Sequence, residues 1–421
     1  MSLNSASLPR SRSGFFYGWI VLGAVFLVYA SGTIGVTTIP LLNVKLRTAF
    51  GWTHEQTVLG PSLLFLIMGL LSPLAGYLLD TLNPKRLMLI GWSCFIAALI
   101  LYSSITSFWQ YMAFYGLYAL GSVCTGVIPG MFLISKWFKQ YRGIATGIFT
   151  VGSSFGGTIF PRFGGYMLQQ TSWQETALWL AGATAVFAIA PWFLIRLTPE
   201  SMNTTPDGLP PRKEEEVQKE FTDETLQTAL KTVEFYVILL VTALVWFSIQ
   251  PLVQNLSFHL KDVGVESEKA GSILSILFMF SIAGKLFFGW LSDHADKKNI
   301  LFAATLNLTL GAVLVRLTGL IHQEWLFYCA AIVYGLGFSG AFTMVQLLVA
   351  ERYSKSKDFG KILGAVTTAD SLAVVAGVYL LGSMRTALGN YDAAFTVIVV
   401  SASIGALGVL FLKQLGKQRT A

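Results

Sequence analysis

Long apolar runs recur roughly every 30 to 35 residues along this chain, each closed by a short polar break. A helix needs about 20 apolar residues to cross a bilayer core, so that period is one span plus one connection. Apolar windows and their breaks predict twelve spans near 16–43, 56–80, 85–106, 109–136, 142–168, 175–197, 233–260, 269–293, 299–320, 324–351, 359–386 and 391–413. The longest polar stretch, 198–231, carries Pro199, Pro206, Pro210, Pro211 and the run RKEEEVQKE, and reads as a mostly flexible linker. It divides the chain into a first six-helix bundle with an N-terminal tail (1–197), the linker (198–231) and a second six-helix bundle with a C-terminal tail (232–421). The fold class expected is therefore an all-α membrane protein of twelve transmembrane helices in two six-helix bundles.

Composition agrees with the pattern. With 54% hydrophobic residues, 12% charged residues and a mean hydropathy of +0.63, the chain is too apolar to keep the polar surface of a soluble domain. The opening MSLNSASLPRSRSG is polar and basic and precedes a run long enough to span, so it reads as a tail rather than a cleaved leader. Cys94, Cys124 and Cys329 lie in apolar stretches without a Cys-x-x-Cys pair, which points to neither a disulfide framework nor a metal site. No cofactor, metal or catalytic residue is expected.

Charge supplies the orientation. Most of the 29 lysines and arginines fall on the side shared by both tails and the linker, and the opposite connections hold Lys45, Arg47, Lys261, Lys269 and Arg385. Positive charge is retained on the cytoplasmic side, so both termini are expected in the cytoplasm. The net charge of +7 then needs no nucleic-acid partner, only the lipid bilayer. Short loops without a glycosylated outer domain fit a bacterial inner membrane.

The two halves repeat a loop. GYLLDTLNPKR (Gly76 to Arg86) follows the second span and GWLSDHADKKN (Gly289 to Asn299) follows the eighth. Each has a glycine for close helix approach, an aspartate at the helix end (Asp80, Asp293) and a basic pair soon after, Lys85 and Arg86 in the first copy. An aspartate there can accept from a neighbouring helix N-terminus and pair with a base when that face is shut. These motifs resemble the loop signature of the major facilitator superfamily, Gly-x-Leu-x-Asp-Arg-x-Gly-Arg-Arg, with Thr81 and Asn83 as departures. The segment KWFKQYRGIATGIFTVGSSFG (Lys136 to Gly156, including Arg142) and Tyr17-Gly18-Trp19 are similar to the branch containing monocarboxylate transporters and oxalate/formate exchangers. YGLYALGSVCTG (Tyr115 to Gly126) lacks the buried arginine that drug/proton exporters of the superfamily typically carry in the fourth span. The resemblance implies two bundles rocking around a central site without ATP hydrolysis, with Gly76, Asp80, Lys85, Arg86, Gly289, Asp293 and Arg142 in the gating motifs.

An ionisable group inside the bilayer costs roughly 2.5–3.5 kcal/mol on insertion scales, so each is a functional candidate. Lys285 lies in the eighth span, eight residues before Asp293 and so about 12 Å deep; Asp370 lies in the eleventh at about 16 Å. In the resembling families a basic residue four before the glycine equivalent to Gly289 binds the substrate carboxylate, and Lys285 stands there. Asp370 either holds Lys285 in the empty site or carries a coupling proton; the plain alternative is a static ion pair. Ser281 replaces the acidic residue that monocarboxylate transporters carry four before that base, and the first span offers Ser31, Thr33, Thr37 and Thr38 rather than a lysine. Arg162 and Arg316 fall near the outer ends of their spans, where snorkelling is the simple account and, for Arg162, an outer gate the functional one.

Spans one, four, seven and ten line the cavity in that superfamily, which makes Tyr29, Tyr115, Tyr118, Trp246, Gln250, Gln254, Asn255, His259, Tyr334 and Gln346 softer candidates. Tyr118 and Asn255 are preferred for mid-depth, with Tyr115 and Tyr334 beside them as substrate contacts. The expected activity is secondary active transport of a small, carboxylate-like organic anion, by proton symport or anion exchange. The alternative is export of a larger amphipathic compound such as a siderophore or drug. Neither a His-rich cluster nor a Ser/His/Asp arrangement supports a membrane enzyme.

Overall fold

The computed structural model describes residues 16–81, 84–202, 204–208, 225–292, 294–353, 356 and 358–420. Their backbone is helical wherever it would cross lipid, because only internal hydrogen bonds can satisfy peptide groups there. The twelve expected spans are present. The first runs as Gly18–Ser31, Ile34–Thr37 and Ile39–Phe50, and the second is His54–Thr81. Pro84–Ser103 is the third, Phe108–Thr125 with Val127–Trp137 the fourth, Arg142–Gln170 the fifth and Trp173–Leu194 the sixth. The second half supplies Val233–Asp262, Ser267–Ser292, Lys297–Leu317, Glu324–Tyr353, Phe359–Leu388 and Asp392–Thr420 as spans seven to twelve.

Eleven described stretches are long and apolar enough to cross a membrane. The fifth span, 29 residues long, is diluted by glycine, serine and threonine in GIATGIFTVGSSFGGT. Helix starts carry capping boxes at Ser107 with Gln110 and at Ser172 with Glu175, and Asp296 caps the ninth span through the Asn299 N–H. The first span departs from expectation. It ends at Phe50 rather than near residue 43, and it is interrupted around Gly32–Thr33 and Thr38, ahead of Pro40.

Packing repeats between halves. Spans 1·5, 1·6, 2·4, 3·4 and 3·6 pack in the first bundle, and 7·11, 7·12, 8·10, 9·10 and 9·12 pack in the second. The seam between bundles is made by 5·8 and 2·11, which exchange when six is added or subtracted. Such an internal repeat places shared chemistry at the seam.

Loops 51–53, 104–107, 171–172, 263–266, 318–323 and 389–391 lie on one membrane face, the short-loop face; the linker marks the other. Toward the short-loop face the seam closes on glycine. A Cβ on Gly165 would lie 2.7 Å from the Ser267 carbonyl oxygen, and one on either Gly165 or Gly271 would stand 3.2 Å from the other's Cα. The linker is less loose than expected at its described ends. The Asp207 carboxylate accepts from the Lys139, Gln140 and Tyr141 N–H groups at 2.9, 2.6 and 3.3 Å, and the Leu226 N–H donates to Asp358 at 3.1 Å.

Candidate functional site

Lys285 reaches out of the second bundle into the first. Its ammonium donates to the Thr150 carbonyl at 2.8 Å and to the Ser153 hydroxyl at 2.9 Å, both in the fifth span. It also lies 5.4 Å from the centre of the Phe342 ring. One turn toward the short-loop face, Ser281 donates to Ser154 at 2.7 Å, so the eighth and fifth spans share a short polar track across the seam. Only 7% of Lys285 is exposed, and no described carboxylate lies within ion-pairing distance.

The polar track has aromatic flanks. Phe342 packs edge-on against Trp246 of the seventh span at 5.3 Å, and Tyr29 of the first span stacks on Phe149 at 4.8 Å with its hydroxyl toward Ser153. Spans one, five, seven, eight and ten thus meet around one ammonium.

The Lys285–Asp370 ion pair expected from similar depth is not formed. Asp370, 7% exposed, faces the Thr242 hydroxyl of the seventh span, and its Oδ1 is buried without a partner. The reason is azimuth: the lysine's helix face turns to span five, while span eleven packs on spans seven and two.

The soft candidates separate. The Tyr118 hydroxyl accepts from the Gly35 N–H at 2.8 Å and reaches the Gly32 carbonyl at 3.4 Å, serving the break in the first span. Tyr115 accepts from Asn43 Nδ2 at 2.7 Å, and Tyr102 donates to Asn43 Oδ1 at 2.8 Å. Tyr334 donates to the Ser248 carbonyl at 2.7 Å. All three tyrosines are buried with their hydroxyls hydrogen-bonded to neighbouring helices, an arrangement that suits helix packing.

Asn255 departs from the mid-depth position expected of it. It lies near the short-loop end, where its Oδ1 accepts from His54 Nε2 at 2.9 Å, and its Nδ2 donates to the Pro251 carbonyl at 2.9 Å. His54 also meets Arg47 Nη1 at 3.1 Å through Nδ1 and the Tyr391 hydroxyl at 2.6 Å through Nε2. Around it Arg385 grips Asp262 at 2.6 and 3.1 Å, Lys261 donates to Thr48 at 2.5 Å, and the Glu55 N–H donates to Thr386 at 3.2 Å. Sequence reading missed His54 and Tyr391, because GWTHEQ and GNYD look like ordinary loop; the opposed charges Arg47 and Asp262 were the available signal.

Of the gating motifs, the side chains of Gly76, Asp80, Arg142 and Asp293 lie outside those described. Lys85 sits 4.6 Å over the Trp192 ring and Arg86 is exposed. A Cβ on Gly289 would meet nothing within 4 Å, so no close approach requires that glycine here. Arg162 is exposed and forms no described ion pair, and Arg316 donates to Thr396 at 2.8 Å.

The Major Facilitator Superfamily family model matches residues 21–377. The chain belongs to the major facilitator superfamily. It is similar to human "Monocarboxylate transporter 12" at 23% identity, covering 96% of this chain and 82% of that protein. It is also similar to the Bacillus subtilis "Uncharacterized MFS-type transporter YcxA" at 22% over 92% and 93%, and to the Aspergillus fumigatus "MFS-type transporter hasB" at 24% over 89% and 80%. This major facilitator is a multi-pass integral membrane transporter, and its seam carries a lysine held across the two halves.

Proposed function

We propose that this transporter moves a small organic anion by alternating access, with Lys285 as the residue that takes the substrate carboxylate. One observation carries this reading: a lysine ammonium sits at the seam between bundles with neutral partners only, two donors spent on Thr150 and Ser153. A lysine has a third donor and a full charge, and a buried cation without a counter-charge costs several kcal/mol. A carboxylate supplies that counter-charge. The flanking rings of Phe342, Trp246, Tyr29 and Phe149 suit an apolar body attached to it. Similarity to a protein named for monocarboxylate transport supports the same substrate class.

The unpartnered oxygen of Asp370 suits a coupling proton, which favours proton symport; anion exchange is the other drive. We place the linker face in the cytoplasm from the lysine and arginine bias, in a bacterial inner membrane, with domain limits at 1–197, 198–231 and 232–421. In that orientation the described hydrogen bonds joining the bundles lie at mid-depth or at the outer, short-loop face.

The test is thermal stabilisation of purified protein by mono-, di- and aromatic carboxylates, with Lys285→Met alongside. Stabilisation by one carboxylate class, lost in the variant, supports the anion site. A shift with bulky amphipathic or cationic compounds instead moves the assignment to an exporter of siderophore or drug type.

A further inference from the structure

Three hydrogen bonds meet on the imidazole of His54, and their chemistry fixes its state. Arginine is an obligate donor, so Nδ1, 3.1 Å from Arg47 Nη1, must accept and carries no proton. Nε2 then holds the ring proton and faces Asn255 Oδ1 at 2.9 Å and the Tyr391 hydroxyl at 2.6 Å, while Tyr391 also reaches Asn255 Oδ1 at 3.3 Å. Arg47 and His54 belong to the first bundle, Asn255 and Tyr391 to the second. The neutral ring is therefore a tie between bundles.

We propose that His54 is a proton-binding latch of the short-loop face: the neutral ring holds the bundles together there, and a proton on Nδ1 releases them. A proton at Nδ1 meets the Arg47 guanidinium head-on, removing one hydrogen bond and setting two cations 3.1 Å apart. The surroundings cannot absorb the added charge. From span one comes Arg47; from span seven Lys261, Asp262 and, through Tyr391, His259; from span eleven Arg385 and Tyr379; from span twelve Tyr391; and from the ring's own helix Glu55.

Asp262 already binds Arg385 through both oxygens and stands 3.9 Å from Arg47, and Glu55 is engaged by Tyr379. The ring is 4% exposed and packed edge-on against Phe258 at 4.5 Å, so an imidazolium there is hydrated only when the bundles part. The latch does not depend on which substrate Lys285 takes.

The experiment uses full-length protein in lipid nanodiscs, with the native cysteines replaced and spin labels at Thr106→Cys and Gln323→Cys, one on a short loop of each bundle. Inter-label distances are read from about pH 8 to about pH 5, the range in which an imidazole titrates. The separated population should rise about tenfold in the parent and change less than about twofold in His54→Gln, whose amide stays neutral. Arg47→Gln, which removes the opposing cation, should lose at least about half of the response. An undiminished pH response in either variant, or no response in the parent, overturns the latch.

Discussion

The Lys285 ammonium of the eighth span and the Thr150 carbonyl of the fifth meet at 2.8 Å, so the membrane-buried cation of the second bundle is seated on the backbone of the first. Because the two groups belong to different bundles, a movement of the seam must break or remake this contact.

Removing that cation should stabilise the empty protein. Lys285→Met deletes a buried charge balanced only by dipoles, and replacing buried ionic groups by apolar ones is neutral or stabilising by about 1–4 kcal/mol. The melting temperature without substrate is expected to stay level or rise, while carboxylate affinity falls at least about tenfold. A marked drop in melting temperature would make Lys285 a structural strut.

Asp370→Asn should uncouple transport from a pH gradient. The variant keeps the shape and removes the titrating carboxylate whose Oδ1 has no partner. In proteoliposomes, substrate counterflow should persist within about threefold, while acceleration by an imposed proton gradient disappears. Gradient-driven uptake at the parent rate would assign coupling elsewhere.

Tyr118→Phe tests a packing role. The change strips the acceptor from the Gly35 N–H, leaving a backbone donor of the broken first span unserved in a buried place. Stability should fall by about 1–3 kcal/mol with carboxylate affinity changed less than about twofold, as read by denaturation and by isothermal titration. A selective loss of affinity would make Tyr118 a substrate contact.

Gly271→Val should hold the short-loop face apart. A Cβ there falls against the Pro161 carbonyl, which is backbone and cannot swing aside. Transport should cease while binding from the short-loop side remains, measured by accessibility of a cysteine on that side of the seam. Normal turnover would show that the helices need not approach this closely.

Outside the membrane, Asp358 offers a pH test. Its hydrogen bonds from Lys361 and the Leu226 N–H hold the carboxyl below the usual carboxylate range. A depressed acid contributes stability that is present above its unfolded value and lost as pH falls through the folded one. Amide exchange at Leu226–Ala229 should therefore accelerate at the acidic end of that range, and Asp358→Asn should show the faster exchange at neutral pH.

The spans were legible because lipid imposes a length that composition must meet, and Lys285 and Asp370 stood out because charge in hydrocarbon is rare. What the pattern could not convey was rotation. Depth along a helix follows from counting, yet Lys285 and Asp370 at similar depth turn to different neighbours, and Asn255 proved to belong to the short-loop end. Thr150 and Ser153 left no trace in the sequence because a backbone carbonyl and one hydroxyl among many carry no compositional signature. His54 was hidden by a helix that starts two residues earlier than its apolar run.

The cluster that ties the short-loop face also shapes what arrives there. Arg47, Arg385 and Lys261 stand against Asp262 and Glu55 at the mouth of the seam, with Lys45 close by, so this cluster holds four cations to two carboxylates. For the anionic substrate proposed above, such charges would raise its concentration at the mouth, an attraction that fades over a Debye length of about 8 Å at physiological ionic strength. Its capture rate from that side is then expected to fall with added salt more steeply than its affinity for a desolvated Lys285.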